Sequence, residues 1–255
     1  MILTPFFLDE PLSGLESLAA SDWLINKPLL PDGEIQMRLS ALHKPLADFT
    51  RQSILSGKRP ISIAGDCCTT IGMLAGVQRA GIDPILIWFD AHGDLNTWQT
   101  TPSGFLGGMP LAMLIGRGEQ TMLKALELKP LAEDRVILTD ARDLDPGEKQ
   151  WIEAANIIHY PNVNRLLDAT LPDGLLYVHM DMDIVNPAEA SAMNYLAVGG
   201  PSAKELQRVM RRLGRTQKIA AVSVSTWNPE MDEDGQSREV CMGLLNALIN
   251  DRVTR

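Results

Sequence analysis

Short apolar runs alternate along this chain with stretches in which apolar residues return every three or four positions. The runs at 61–64, 85–89, 135–138, 175–180 and 219–225 predict buried strands. Near-continuous apolar character marks strands covered on both faces. Helical spacing predicts helices over 36–56, 69–80, 110–115, 147–155, 202–213 and 240–250. Ser202 stands as an N-cap with Glu205 three residues on, which predicts a capping box. Strands alternating with helices predict βαβ units, hence an α/β fold with a mostly parallel central sheet and helices on both faces. No linker, repeat or shift in composition interrupts residues 1–255, which read as a single domain.

Polar residues gather where the strands run out: Gly65-Asp66-Cys67, Asp90-Ala91-His92-Gly93-Asp94, Ala141-Arg142-Asp143, Asp181-Met182-Asp183 and Thr226-Trp227-Asn228-Pro229. Ligands of open α/β sheets bind at the carboxyl ends of strands, so these groups predict a site on that edge. Asp90, His92 and Asp94 fall at alternate positions, so an extended backbone turns them to one side, as it does Asp181 and Asp183. Carboxylates packed this closely repel unless cations neutralise them. Each alone reads as a turn former or helix cap; five groups ending two strands read as metal ligands. Cys67 ends a third strand and adds a thiol, which is otherwise a small core filler. The six groups exceed what one ion with an open position needs, so two ions are expected. Oxygen donors with one imidazole suit Mn²⁺, while a thiolate moves preference toward Zn²⁺, Co²⁺ or Fe²⁺.

Composition narrows the picture. The net charge of −9 argues against nucleic acid and anionic membrane surfaces as partners. Three cysteines, two of them adjacent, are no disulfide framework and suit a reducing compartment. The N-terminus lacks a basic region and turns acidic at Asp9-Glu10, unlike a signal peptide, and no apolar run spans a bilayer. A cytoplasmic location is expected. Neither a G-x-x-x-x-G-K-S/T loop nor a G-x-G-x-x-G following a strand is present, so no nucleotide cofactor is expected.

The motifs, taken in order, resemble the arginase–agmatinase ureohydrolase family. Gly65-Asp66-Cys67 is similar to its G-D-H motif, Asp90-Ala91-His92-Gly93-Asp94 to D-A-H-x-D, Asp181-Met182-Asp183-Ile184-Val185-Asn186-Pro187 to D-x-D-x-x-D-P, and Thr226-Trp227-Asn228-Pro229 to E-x-N-P. The resemblance implies a three-layer α/β fold, a centre of two Mn²⁺ ions, and C–N hydrolysis of a guanidino group by metal-activated water. It implies the ligand set Cys67, Asp90, His92, Asp94, Asp181 and Asp183, with Asp94 also accepting a hydrogen bond from the nucleophile. Arg142-Asp143-Leu144-Asp145-Pro146-Gly147-Glu148 resembles the segment in which the second Asp and the Glu face a substrate α-amino group, here Asp145 and Glu148. Without that resemblance these two read as a turn and a helix N-terminus. Asn96, Thr101 and Ser103 match residues that bind the α-carboxylate.

Three positions depart from the family. Cys67 replaces a His ligand. Ser103-Gly104-Phe105-Leu106-Gly107-Gly108 stands where the family has S-G-N-L-H-G, so Gly107 replaces a proton-shuttling His. Thr226 replaces a carboxylate that pairs with the guanidinium. A cation in a dry site wants that carboxylate, whereas a less basic N-hydroxyguanidine is content with a hydroxyl such as Thr226. The departures resemble a branch that converts Nω-hydroxy-L-arginine to L-ornithine and hydroxyurea in cycloserine-type antibiotic biosynthesis. That reaction is the leading expectation. Hydrolysis of arginine or another guanidino acid, and a catalytically silent metal-binding homologue, are the alternatives. His179 lies two residues before Asp181 on the same side of its strand, as a proton carrier in place of the lost His or as a core histidine beneath the metals. Trp98 is a candidate for the mouth of the site; His43 and His159 lie outside every motif. Monomer and homo-oligomer are both left open.

Overall fold

A computed structural model describes residues 1–225 and 227–250. Eight strands form one sheet: β1 (Ile2–Thr4), β2 (Leu24–Ile25), β3 (Ile61–Ala64), β4 (Ile85–His92), β5 (Val136–Asp143), β6 (Ile158–Tyr160), β7 (Leu176–Asp181) and β8 (Ile219–Ser225). Their order is β2-β1-β3-β8-β7-β4-β5-β6, and every pairing is parallel. The helices are α1 (Ile35–Leu55), α2 (Thr70–Arg79), α3 (Pro110–Leu114), α4 (Thr121–Ala125), α5 (Pro146–Ala154), α6 (Arg165–Asp168), α7 (Ala203–Arg215) and α8 (Gln236–Ile249).

Alternate residues of β4 show why the central strands are apolar throughout. Ile85, Ile87 and Phe89 enter one core with residues of α7 and α8. Leu86 and Trp88 enter a second core with residues of α1, α2 and α3. Both faces are therefore buried, the arrangement parallel sheets require. Ser202 caps α7 by accepting from the Glu205 N–H, while a Glu205 oxygen accepts from the Ser202 N–H, which is the expected capping box.

The strand order places the ends of β3, β8, β7, β4 and β5 side by side, so residues far apart in sequence share one edge. Two local features shape that edge. Gly65 follows β3, and its N–H donates to the Phe6 carbonyl; a Cβ there would sit 2.3 Å from that oxygen, so the turn into Cys67 tolerates only glycine. Asp94 (φ 51), Asp140 (φ 67) and Ala141 (φ 51) adopt left-handed backbone without being glycine. Such residues cost roughly 1–3 kcal/mol each and persist where surrounding structure enforces them, typically at functional sites.

Candidate metal centre and substrate pocket

Cys67 opens a short 3-10 turn after β3, with Asp66 accepting from the Cys68 N–H. The second Asp66 oxygen accepts from the Leu8 N–H, which fastens this turn to the N-terminal segment. Asp90 and His92 end β4, Asp181 ends β7, and Asp183 lies in the turn that follows. Each carboxylate is aimed by backbone donors. Asp90 accepts from the His92 N–H, Asp181 from the Asp183 N–H and Asp183 from the Ala91 N–H. Trp88 Nε1 donates to the other Asp90 oxygen at 2.9 Å, so β4 orients one of its own acidic residues through the side chain two positions earlier.

The six expected ligands converge. Ligand atoms of Cys67, Asp90 and Asp94 lie within 4.8 Å of one another, as do those of Asp90, His92 and Asp183, and those of Cys67, His179 and Asp181. Asp90 belongs to two of these groups, which suits a carboxylate between two ions. His92 Nδ1 lies 2.9 Å from Asp183 Oδ2. The Cys67 thiol donates to Asp181 Oδ2 at 2.6 Å, a separation at which two anions need a proton or a cation between them. Asp94 Oδ2 is buried without a hydrogen-bond partner. A buried orphan carboxylate oxygen in such a cluster is what a cation would satisfy. The donor set therefore fits two divalent ions.

The electrostatics agree with that fit. Burial, then the neighbouring Asp90 and Asp181, push the Asp94 carboxyl well above the ordinary range. Burial and Asp90 raise Asp183 to about 6. Burial opposes a charge on His92, yet its hydrogen bonds to Asp183 and Asp90 prevail and raise it to about 12. Burial and the surrounding carboxylates push the Cys67 thiol up. In all four, burial is the largest influence and the neighbouring carboxylates act beside it, which is the environment of a buried acidic cluster.

A cavity of about 400 Å³ opens over this cluster. Cys67, His92, Asp94, Asp181 and Asp183 form its floor, and Asn96, Thr101, Ser103, Asp145 and Glu148 its polar wall. Glu148 also completes a capping box at α5, where it accepts from the Asp145 N–H at 2.9 Å and from the Leu95 N–H at 2.8 Å. Asp145 accepts from Asn96 Nδ2 at 2.7 Å. The helix-cap role and the placement at the pocket thus coexist in the same residues. Thr101 and Ser103 accept from the Gly104 and Phe105 N–H groups, which shapes the loop. Thr226 lies outside the described residues.

Of the two readings of His179, its placement matches the core histidine beneath the metals rather than the proton carrier: it is fully buried and does not line the cavity. Its ring lies below the floor, with Nε2 at 3.3 Å from Cys67 Sγ, and burial lowers it to about 3. Trp98 is likewise absent from the cavity lining; it is partly exposed and donates to Glu119. His43 is buried in α1, and His159 Nε2 meets the Asp140 carbonyl at 3.1 Å.

Two features escaped sequence reasoning. Phe7, Phe105 and Tyr195 form the apolar wall of the cavity, with ring centroids 6.2 Å apart for Phe7–Phe105, 5.0 Å for Phe105–Tyr195 and 6.3 Å for Phe7–Tyr195. A Cβ on Gly107 would lie 2.3 Å from Phe105 Cε1, so that ring occupies the space a side chain at 107 would use. The second is Arg142, whose guanidinium pairs with Asp140 and donates to the carbonyls of Asp183, Ile184, Ala197 and Val198. It ties the end of β5 to the segment after β7. Arg142 carried a sequence signal as a polar strand-end residue within a family-like segment and Phe105 as part of another, while Phe7 and Tyr195 lie outside every motif.

The Arginase family profile matches residues 21–249. The chain belongs to the arginase family. It is 30% identical over 229 residues to an arginase from Bacillus caldovelox, covering 83% of this chain and 75% of that one. Identity to the arginase of Bacillus subtilis is 28% over 248 residues, covering 90% and 82%. The solved Bacillus caldovelox arginase superposes with a TM-score of 0.84 at 25% identity over 99% of this chain and 98% of that one. An Entamoeba histolytica arginase solved in complex with L-ornithine has the same fold, with a TM-score of 0.82 at 21% identity, covering 97% and 96%. The arginase family uses a binuclear metal centre, and this chain supplies candidate ligand clusters for one. Among the described residues no helix is long and apolar enough to cross a membrane.

Proposed function

We propose that this protein hydrolyses the guanidino C–N bond of Nω-hydroxy-L-arginine, giving L-ornithine and hydroxyurea, with two divalent ions, Mn²⁺ foremost, held by Cys67, Asp90, His92, Asp94, Asp181 and Asp183. Ions bound there supply a water nucleophile at neutral pH. Asp94 takes a proton from the attacking water and returns it to the departing amine nitrogen. The polar wall of Asn96, Thr101, Ser103, Asp145 and Glu148 holds the α-amino acid end. Asp145 and Glu148 offer charge to the ammonium, while Asn96 and the two hydroxyls offer donors to the carboxylate.

The observation that carries this reading is the closed position at Gly107. The Phe105 ring takes up the space of a Cβ at position 107, where the family has an imidazole, so the wall of Phe7, Phe105 and Tyr195 offers no imidazole to the reacting end of the substrate. A substrate whose leaving and attacked groups need little outside proton transfer suits such a wall. An N-hydroxyguanidine, less basic than a guanidinium, is one. Loss of a charge-assisted hydrogen bond at Thr226 costs a cationic substrate about 1.5–3 kcal/mol, or about 10–150-fold in binding.

Hydrolysis of L-arginine is the second reading, favoured by relatives named arginase that match most of the chain. The deciding assay loads the protein with Mn²⁺, offers L-arginine and Nω-hydroxy-L-arginine separately, and measures ornithine and hydroxyurea. The expected result is a kcat/KM at least about tenfold higher for the hydroxylated substrate, the low end of that cost. Efficient turnover of arginine alone would overturn the proposal. Failure to bind two ions would instead favour a silent homologue.

A further inference from the structure

We infer that His179 is a positioning residue for the metal centre: it donates a hydrogen bond from Nε2 to Cys67 Sγ, and two buried hydroxyls fix the ring tautomer that makes this donation available. The inference rests on the proposed reading in which Cys67 is a metal ligand.

Tyr177, His179 and Asp181 sit at alternate positions of β7 and therefore share one face. On the neighbouring β8, Ser223 pairs with His179 and Ser225 with Asp181. A polar ladder thus climbs the sheet inside an otherwise apolar layer and ends at the ligands. Tyr177 Oη lies 2.7 Å from Ser223 Oγ, and Ser223 Oγ lies 2.8 Å from His179 Nδ1. His179 Nε2 lies 3.3 Å and Ser225 Oγ 3.0 Å from Cys67 Sγ. All of these residues are buried.

The direction of the ladder follows from donor counting. Tyr177 and Ser223 each carry one hydroxyl hydrogen, and the phenol is the stronger donor. If Tyr177 donates to Ser223, the serine hydrogen is left for Nδ1. A neutral ring that accepts at Nδ1 carries its hydrogen on Nε2, which faces Cys67 Sγ at 3.3 Å with Ser225 Oγ beside it at 3.4 Å; with the Ser225 hydrogen given to sulfur, both side chains donate toward Cys67. Trp88 packs against the ring with centroids 4.1 Å apart and fixes its plane. The same Trp88 donates to Asp90, so two expected ligands are each oriented by a buried N–H from the strand beneath.

The charge balance gives the ladder a purpose. A thiolate in place of a neutral imidazole adds a full negative charge to the centre and makes the ion it binds a weaker Lewis acid. Hydrogen bonds from His179 and Ser225 draw electron density off the sulfur and offset that change. Partners outside the ligand shell orient ligands in this way, and their loss commonly costs about 10–100-fold in metal affinity.

The test uses Co²⁺ as a spectroscopic probe in the full-length protein. The wild type is expected to show a sulfur-to-cobalt charge-transfer band that Cys67→Ser abolishes. In His179→Phe, which keeps a ring against Trp88 but removes the donor, the band is expected at lower energy, with Co²⁺ affinity about tenfold weaker. His179→Gln, which returns an N–H donor, is expected to recover part of both. A band and affinity unchanged in His179→Phe would overturn the inference while leaving Cys67 as a ligand. Absence of the band in the wild type would remove the ligand reading and the inference with it. Should His179→Phe not fold, Ser223→Ala breaks the contact that sets the tautomer. A smaller shift in the same direction supports the inference, and no shift overturns it.

Discussion

Gly107 and Phe105 should be energetically coupled, and the structure gives the size of the coupling. In Gly107→Ala the new methyl would lie 2.3 Å from Phe105 Cε1 and 2.4 Å from Cζ. Ordinary carbon contacts fall near about 3.5–4.0 Å, so the ring must leave. The backbone at Gly107 is not left-handed, so no strain arises from the main chain itself. A displaced ring gives up its stacking on Phe7 and its tilted contact with Tyr195. Two aromatic contacts at about 0.5–1.5 kcal/mol each put the cost of Gly107→Ala at about 1–3 kcal/mol. Phe105→Ala loses the same contacts outright. The three atoms nearest the new methyl all belong to Phe105, so with the ring gone its close contacts go too and the double variant should cost little more than Phe105→Ala alone. The interaction energy is then about 1–3 kcal/mol in favour of the double variant. In a chain of this size each kcal/mol moves Tm by about 2–4 °C. Thermal and urea unfolding of the four proteins measures it. Strict additivity, with an interaction below about 0.5 kcal/mol, would refute the claim that Phe105 fills the space of a side chain at 107. The same logic makes Phe105→Asn with Gly107→His better tolerated than Gly107→His alone.

Other expectations follow from the same contacts. Cys67→Ser should lower bound metal from about two ions to about one by elemental analysis, whereas a mere core filler would leave the content unchanged. Asp94→Asn should reduce kcat by about 10²–10⁴-fold, measured as ornithine release, if this carboxylate handles the proton of the attacking water. Arg142→Gln leaves Asp140 without its buried partner and frees four carbonyls, so it should destabilise the protein by about 3–5 kcal/mol in urea unfolding. Burial raises Asp66 from 3.8 to about 6, so the folded state holds that proton more tightly than the unfolded chain. Its contribution is complete below about pH 4 and lost as pH rises through about 6. Relative to Asp66→Asn, the wild type should lose about 3 kcal/mol between pH 4 and 7.

The sequence made the central strands legible because burial on both faces leaves an unbroken apolar run. Expected strands at 61–64 and 219–225 have those bounds in the structure. The run at 85–89 continues to His92, since polar ligands end it chemically before the backbone leaves the sheet. Strands β1, β2 and β6, of two or three residues, carried too little pattern to read. Helix α8 begins at Gln236, four residues before its expected start. Asp232 accepts from the Ser237 and Arg238 N–H groups, and this cap lies outside the apolar period that marks the helix. Spacing announced the metal cluster because alternation is a local property. Neither the Phe105 ring over Gly107 nor the ladder beneath Cys67 could be read that way. The first depends on a tight 3-10 turn, and the second on the register between β7 and β8.

That difference bears on whether this chain has lost its chemistry. A homologue released from catalysis drifts at ligand and shuttle positions independently, and each lost group leaves a gap or an unpaired partner. Here the substitutions arrive with matching neighbours. Cys67 stands where a His ligand would be and is met by His179 and Ser225 at contact distance. Gly107 lacks a side chain, and Phe105 occupies the space while contacting two further rings. The carboxylates keep their backbone donors, and Asp94 keeps a buried oxygen with nothing to bond. An unpartnered buried carboxylate costs stability unless a cation or a proton satisfies it. Its retention beside a remodelled wall argues for a metal centre kept in repair rather than one in decay.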